Sequence, residues 1–212
     1  MKNYPLYETT VFEDFRIMVE NVAERCPDKT AFSYRNDPSD EAPVKVTFSE
    51  VRDIVRDFGT ALIDLGCRGE RCAIIGGTSI GWIYTYFALM ASGAVTVPID
   101  KDLHDDDIAR LLEKAECRFA FYSSDVAAKV ASMRKACPDV KWICMMGEAS
   151  EGDDTREALT ARGRELFAAG DNSYYDYEID VDALASIVFT SGTTGKGKGV
   201  MLSQRNITSD MT

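Results

Sequence analysis

Between Cys72 and Ile99 the chain runs for 28 residues without a charged side chain. That stretch limits the fold more than any other feature. Its length exceeds the roughly 20 apolar residues that span a bilayer. Yet Gly76, Gly77, Gly81, Gly93 and Pro98 divide it, and Thr78, Ser79, Thr85, Ser92 and Thr96 add hydroxyls. A membrane helix would be unbroken. This pattern reads instead as strand, helix, strand inside an α/β core, where strands covered on both faces are continuously apolar.

The flanks continue the alternation. Strands are expected at Arg71–Ile75, 94–98, 119–122 and Lys141–Met146, with helices over 81–91, 105–115 and 126–136. That rhythm predicts a doubly wound, mostly parallel sheet with helices on both faces. Upstream, residues 1–10 read as a loosely held arm. A helix follows over 11–26, ended by Pro27; then come a strand at Thr30–Tyr34, a polar loop over 36–43 and a short strand over 44–46, hairpin-paired with the first. A helix over 49–65 carries one apolar stripe of Val51, Ile54, Val55, Phe58, Leu62 and Leu65. Arg52, Asp53, Arg56, Asp57 and Asp64 lie off that stripe. Thr47 and Glu50 have capping-box spacing, and Gly66 suits the C-terminal turn.

Residues 147–180 break the rhythm: an acidic stretch over 147–154, a helix over 155–169 and a Tyr-bearing polar connector over 170–180. They read as a surface excursion. The organisation expected is therefore an N-terminal α/β subdomain over 1–146, an irregular and helical connector over 147–180, and the start of the next subdomain over 181–212.

Composition removes several functions. Lys and Arg number 24 against 35 Asp and Glu, a formal charge of −11, which repels nucleic acid and anionic membranes at long range. The six Cys form no C-x-x-C pair, and a reducing, cytosolic compartment is expected. His104 is the single His, which removes most His-based metal sites.

The chemistry concentrates near the end. After a β-rich run over 185–189, Thr190–Gly199 holds four Gly, four hydroxyl residues and two Lys. Glycines let backbone N–H groups approach an anion closely. Hydroxyls add neutral donors, and Lys adds a mobile positive charge. Together these suit a polyphosphate. Gly192 to Lys198 fits the Walker pattern G-x-x-x-x-G-K, but Gly199 stands where Ser or Thr should hold Mg²⁺. A Walker loop also opens a helix, whereas Val200-Met201-Leu202 reads as a strand with the next helix starting at Ser203. A strand–loop–strand unit is expected.

Thr190-Ser191-Gly192-Thr193-Thr194-Gly195, followed by Lys198-Gly199-Val200, resembles the signature loop of the adenylate-forming enzymes. These comprise acyl-CoA synthetases, aryl-CoA ligases, luciferases and peptide-synthetase adenylation domains. The family usually has Pro where Gly197 stands, and Gly leaves about 0.4–1 kcal/mol more chain entropy to lose on ordering. The resemblance extends upstream through Pro27-Asp28-Lys29-Thr30-Ala31, Val46-Thr47-Phe48-Ser49-Glu50, Trp82 and Gly93-Ala94-Val95-Thr96-Val97-Pro98. The spacing is most similar to bacterial medium- and long-chain fatty acyl-CoA ligases.

The resemblance implies the first part of an adenylate-forming N-terminal domain. It also implies two half-reactions: a carboxylate attacks the α-phosphate of Mg·ATP, releasing pyrophosphate, and coenzyme A then displaces AMP. Its phosphate loop, residues 190–200, would use Thr190, Ser191, Thr193 and Thr194 as hydroxyl donors. Gly192 and Gly195 would give backbone contacts and Lys198 the charge, with Lys196 a solvated flank. ATP, Mg²⁺, coenzyme A and a small carboxylic acid are the implied partners, together with the later part of the same enzyme. Peripheral membrane contact through the acyl substrate is part of the same expectation. The later motifs for adenine, ribose and Mg²⁺ have no counterpart here, nor does the C-terminal lysine, so these residues are expected to fold without catalysing. An aryl-CoA ligase or a peptide-synthetase adenylation domain is the alternative within the family.

Two other patterns compete. Gly77-Thr78-Ser79-Ile80-Gly81 spells G-x-S-x-G, the nucleophile elbow of hydrolases, but His104 follows too early for the order Ser, Asp, His; a core turn is the simpler expectation. His104-Asp105-Asp106-Asp107 suggests a metal, yet acidic residues also suit the positive end of a helix. Cys67 and Cys72 lack zinc spacing and are expected as buried fillers.

Overall fold

The computed structural model describes residues 10–37, 39–190 and 198–211. Asp14 ends the extended entry segment by accepting a hydrogen bond from the Ile17 N–H at 2.8 Å, so α1 runs Phe15–Arg25, four residues later than the apolar spacing suggests. Strands β1 (Thr30–Tyr34) and β2 (Val44–Thr47) pair antiparallel. Helix α2 (Phe48–Asp64) opens on the expected reciprocal cap: Thr47 N–H donates to Glu50 Oε2 at 2.7 Å, and Glu50 N–H donates to Thr47 Oγ1 at 3.3 Å.

The alternation then appears as β3 (Arg71–Ile75), α3 (Ile80–Ala91), β4 (Val95–Ile99), α4 (Asp105–Lys114), β5 (Phe119–Ser123), a 3-10 turn, α5 (Ala127–Ala136) and β6 (Lys141–Met146). Next come β7 (Asp154–Thr155), α6 (Arg156–Ala168), α7 (Ser173–Asp176), β8 (Leu184–Thr190), β9 (Lys198–Ser203) and α8 (Gln204–Ser209). The main sheet has the order β7-β6-β5-β3-β4-β8-β9. Every neighbour pair is parallel except β8–β9.

Side-chain alternation shows the double winding. Cys72 and Ile74, Phe119 and Phe121, and Ile143 and Met145 face α2, α3 and α6. Ala73 and Ile75, Ala120 and Tyr122, and Trp142 and Cys144 face α4 and α5. Both faces are buried, so the strands carry no polar alternation and appear as apolar runs. Outside α2 and α3, α1 and the β1–β2 hairpin close a third apolar cluster around Phe15, Val55 and Tyr84.

Residues 147–180 carry the expected helix as α6 and touch the core at single points: β7 extends the sheet beside β6, Tyr174 is fully buried, and Leu159 packs into the core. Asp57, off the apolar stripe, is only 1% exposed because α6 covers that side of α2. Its carboxylate survives burial by accepting from Arg56 at 2.7 Å and Arg164 at 2.9 Å, the pairing a desolvated charge requires. Gly163 permits this approach, since a Cβ there would strike the Asp57 carbonyl.

Candidate functional site

In open α/β sheets, ligands bind at the carboxyl ends of strands where adjacent strands hand over to helices on opposite faces. β3 and β4 are such a pair: α3 packs on one face and α4 on the other. β8 lies beside β4 in parallel, with Thr96 opposite Ser186. From that pair both strands run on toward their carboxyl ends, β4 to Ile99 and β8 to Thr190. The motif therefore emerges on the ligand-bearing edge of the sheet.

Strands run further into the motif than a ten-residue loop would allow. β8 continues to Thr190 and β9 begins at Lys198, and these two residues are register partners in the antiparallel ladder. The expected loop 190–200 is thus strand at both ends, and both partners are exposed. Ser191, Gly192, Thr193, Thr194 and Gly195 lie outside the described residues, as do Lys196 and Gly197. Gly199 sits opposite Phe189; a Cβ there would lie 3.0 Å from Ile187 and 3.3 Å from Phe189. A bare backbone at 199 lets β9 close on β8 next to Lys198.

The far end of the hairpin is anchored by residues the sequence reading missed. Gln204 is 2% exposed, accepting from the Phe15 N–H at 2.9 Å and donating to the Met90 carbonyl at 2.8 Å. It ties the strand end to α1 and α3 at once. Arg205 forks onto Asp182 at 2.6 and 2.9 Å, holding the Asp182 carboxyl below its usual range. Ser203 and Asn206 cap α8 reciprocally.

The competing patterns resolve locally. Ser79 caps α3, its Oγ accepting from the Trp82 N–H at 3.2 Å. Gly81 provides a close approach, because a Cβ there would lie 2.5 Å from the Met145 carbonyl oxygen. The G-x-S-x-G spelling is thus a cap followed by a helix–strand contact. Asp105, Asp106 and Asp107 fill the first turn of α4, as its dipole favours. Among the described residues no group of three His, Cys, Asp or Glu is placed to hold a metal. Cys67 and Cys72 are fully buried, and burial holds the Cys72 thiol well above its usual range. Away from the hairpin, an open cavity of about 320 Å³ is lined by Arg16, Ile17, Glu20, Asn21, Glu24 and Tyr175. There burial raises the Glu20 carboxyl and pushes the Tyr175 phenol to about 12.

Fold and edge together define an open-sheet α/β protein with a Gly-, Thr- and Lys-rich hairpin at the carboxyl ends of its strands. The family model "AMP-binding enzyme" matches residues 19–212, and the chain belongs to that family. A long chain acyl-CoA synthetase of Arabidopsis thaliana is 30% identical over 171 residues, covering 76% of this chain and 25% of its own length. A solved long-chain-fatty-acid-CoA ligase, FadD1 from Archaeoglobus fulgidus, superposes with TM-score 0.75 at 19% identity, over 99% of this chain and 40% of that one. An anthranilate CoA ligase, AuaEII, solved with anthranoyl-AMP, gives 0.75 at 21% identity over 95% of this chain and 36% of its own. The two structural likenesses show the fold. The chain spans about a quarter of the length of the first curated relative. No helix among the described residues is long and apolar enough to cross a membrane.

Proposed function

We propose that this chain is the N-terminal portion of an ATP-dependent, AMP-forming ligase that joins a long-chain fatty acid to coenzyme A. The β8–β9 hairpin grips the β- and γ-phosphates of ATP. The observation that carries the reading is the Thr190–Lys198 register pair at the carboxyl edge of the sheet. The pair brings a hydroxyl and an ammonium to the two ends of the Gly/Thr segment 191–197. Family membership and the names of the curated relatives support the reaction class and the acyl substrate.

Attack of a carboxylate on the α-phosphate leaves pyrophosphate carrying extra negative charge. Donors fixed on the β- and γ-phosphates bind that leaving group more tightly in the transition state than in ATP, which lowers the barrier. Lys198 supplies charge and Thr190 a neutral donor. Ser191, Thr193, Thr194 and the backbone at Gly192 and Gly195 complete the grip. Mg²⁺ arrives on the phosphates of ATP, and none of the chemistry assigned to these residues runs through it. A net charge of −11 does not prevent ATP from binding, because charges beyond about 8–10 Å are largely screened.

Residues 1–212 alone are expected to lack acid-dependent ATP–pyrophosphate exchange. The full-length enzyme tests the assignment with a panel of medium- and long-chain fatty acids, anthranilate and amino acids. Exchange strongest with long-chain acids is expected. Exchange driven by anthranilate or amino acids, and not by fatty acids, would move the protein to another class of adenylate-forming enzyme.

A further inference from the structure

Helix α1 buries Phe15, Val19 and Ala23 and presents Arg16, Glu20 and Glu24, spaced four apart on one face, to the cavity of about 320 Å³ whose far wall is Tyr175 of α7. Ile17 and Asn21 complete the α1 wall. A space of that size sits at the small end of ligand pockets. Its walls are fixed by contacts of their own. The Arg16 guanidinium donates to the Tyr174 carbonyl and, at 2.8 Å, to the Tyr177 carbonyl, which fastens α7 to α1. The Tyr175 ring packs edge-on against Tyr174, with centroids 5.0 Å apart, and against Phe167 at 6.0 Å.

Two acceptors on the α1 wall are short of donors. Glu20 accepts from the Tyr175 hydroxyl at 3.0 Å and, among the described residues, forms no ion pair. The guanidinium groups around it are turned elsewhere: Arg16 to the two carbonyls, Arg52 to Asp53, and Arg56 to Asp53 and Asp57. The buried carboxylates Asp57 and Asp153, by contrast, are each paired with arginine. Burial outweighs every other influence on Glu20 and holds its carboxyl above the usual range. Asn21 adds a side-chain oxygen that is buried and receives no hydrogen bond, the kind of group that calls for a partner. Beside these acceptors stand Ile17 and Tyr175, two large apolar surfaces each 40% exposed.

That combination selects a ligand by chemistry. An anion would be repelled by Glu20 and by Glu24 at the rim, and a wholly apolar molecule would leave both oxygens unpaired. An ammonium carries three N–H donors and a positive charge, and an aromatic face such as that of Tyr175 also attracts cations. We propose that the cavity between α1 and α7 is a binding site for a small organic ammonium ion: Glu20 takes the charge, the Asn21 oxygen accepts an N–H, and Ile17 and Tyr175 flank the apolar body. None of these residues belongs to the β8–β9 hairpin, so the site stands or falls separately from the phosphate grip.

Titration calorimetry on the full-length protein tests this with phenethylammonium, and with 2-phenylethanol as the neutral molecule of the same shape. Phenethylammonium is expected to bind with a Kd of roughly 0.1–1 mM and 2-phenylethanol about tenfold or more weaker. Glu20→Gln, which keeps an acceptor for the Tyr175 hydroxyl, should weaken phenethylammonium about tenfold, the loss of a charge-assisted bond. Asn21→Ala should weaken it roughly 3- to 10-fold, and Glu13→Gln, on the exposed approach to α1, should leave it unchanged. Amide hydrogen exchange of the unsubstituted protein gives a readout that no variant can confound: bound phenethylammonium should slow exchange over residues 16–24 and 173–177. Equal affinity for 2-phenylethanol, binding that neither Glu20→Gln nor Asn21→Ala weakens, protection confined to other segments, or no binding at about 10 mM would each overturn the proposal.

Discussion

Ser79 illustrates how one residue acquires a meaning only through its neighbours. Its hydroxyl is spent on the Trp82 N–H, so Ser79→Ala is expected to lower stability by about 1 kcal/mol, the worth of an N-cap. Under the proposed function, acid-dependent ATP–pyrophosphate exchange by the full-length protein should be retained. Urea unfolding measures the first, and a fluorophosphonate probe should leave Ser79 unlabelled; labelling that disappears in the alanine variant would reinstate a nucleophile. The cap at Thr47 was legible in the sequence because donor and acceptor lie three residues apart. Asp57 and Gln204 were not. Asp57 meets Arg164 across 107 residues, and Gln204 meets Phe15 across 189. A polar side chain off an apolar stripe reads as solvated until the element that covers it is known.

At the scale of elements, α2 is the clearest case of a helix predicted correctly and placed incompletely. Its apolar stripe located one buried face, while α6 buries another through the close approach at Gly163. Gly163→Ala should therefore run against helix propensity. An exposed helical Gly gains up to about 1 kcal/mol on becoming Ala, but here the new methyl strikes the Asp57 carbonyl and a loss of about 1–3 kcal/mol is expected. Urea denaturation of the two proteins decides the sign, and a more stable variant would show that the α2–α6 crossing is looser than described. In the segment 147–180 the expected helix is present as α6, and it carries polar residues on several sides because one side meets Asp57, Asp64 and their ion pairs. The strands β3 and β6 matched their expected bounds, since each run opens on a charged residue, Arg71 or Lys141, and stops at a glycine, Gly76 or Gly147. The hairpin strands extended further than expected, because cross-strand pairing carries Thr190 and Lys198 into the ladder whatever the turn propensity of their neighbours.

For the molecule as a whole, the mostly parallel sheet with helices on both faces follows from the alternation of strand and helix, and membership of the AMP-binding enzyme family follows from a match running from residue 19 to residue 212. The family resemblance was legible because its motif is local: glycines, hydroxyls and a lysine in one short segment. What the sequence left out was its setting, with β8 lying beside β4 and Gln204 fastening the far end of β9. The proposed adenylation depends on the hairpin holding the diphosphate that leaves ATP. Lys198→Ala in the full-length enzyme measures this most directly through fatty-acid-dependent ATP–pyrophosphate exchange. Loss of a preorganised charge partner predicts a fall in kcat/KM of about 10²–10³ with the fold intact; exchange at the unaltered rate would contradict it.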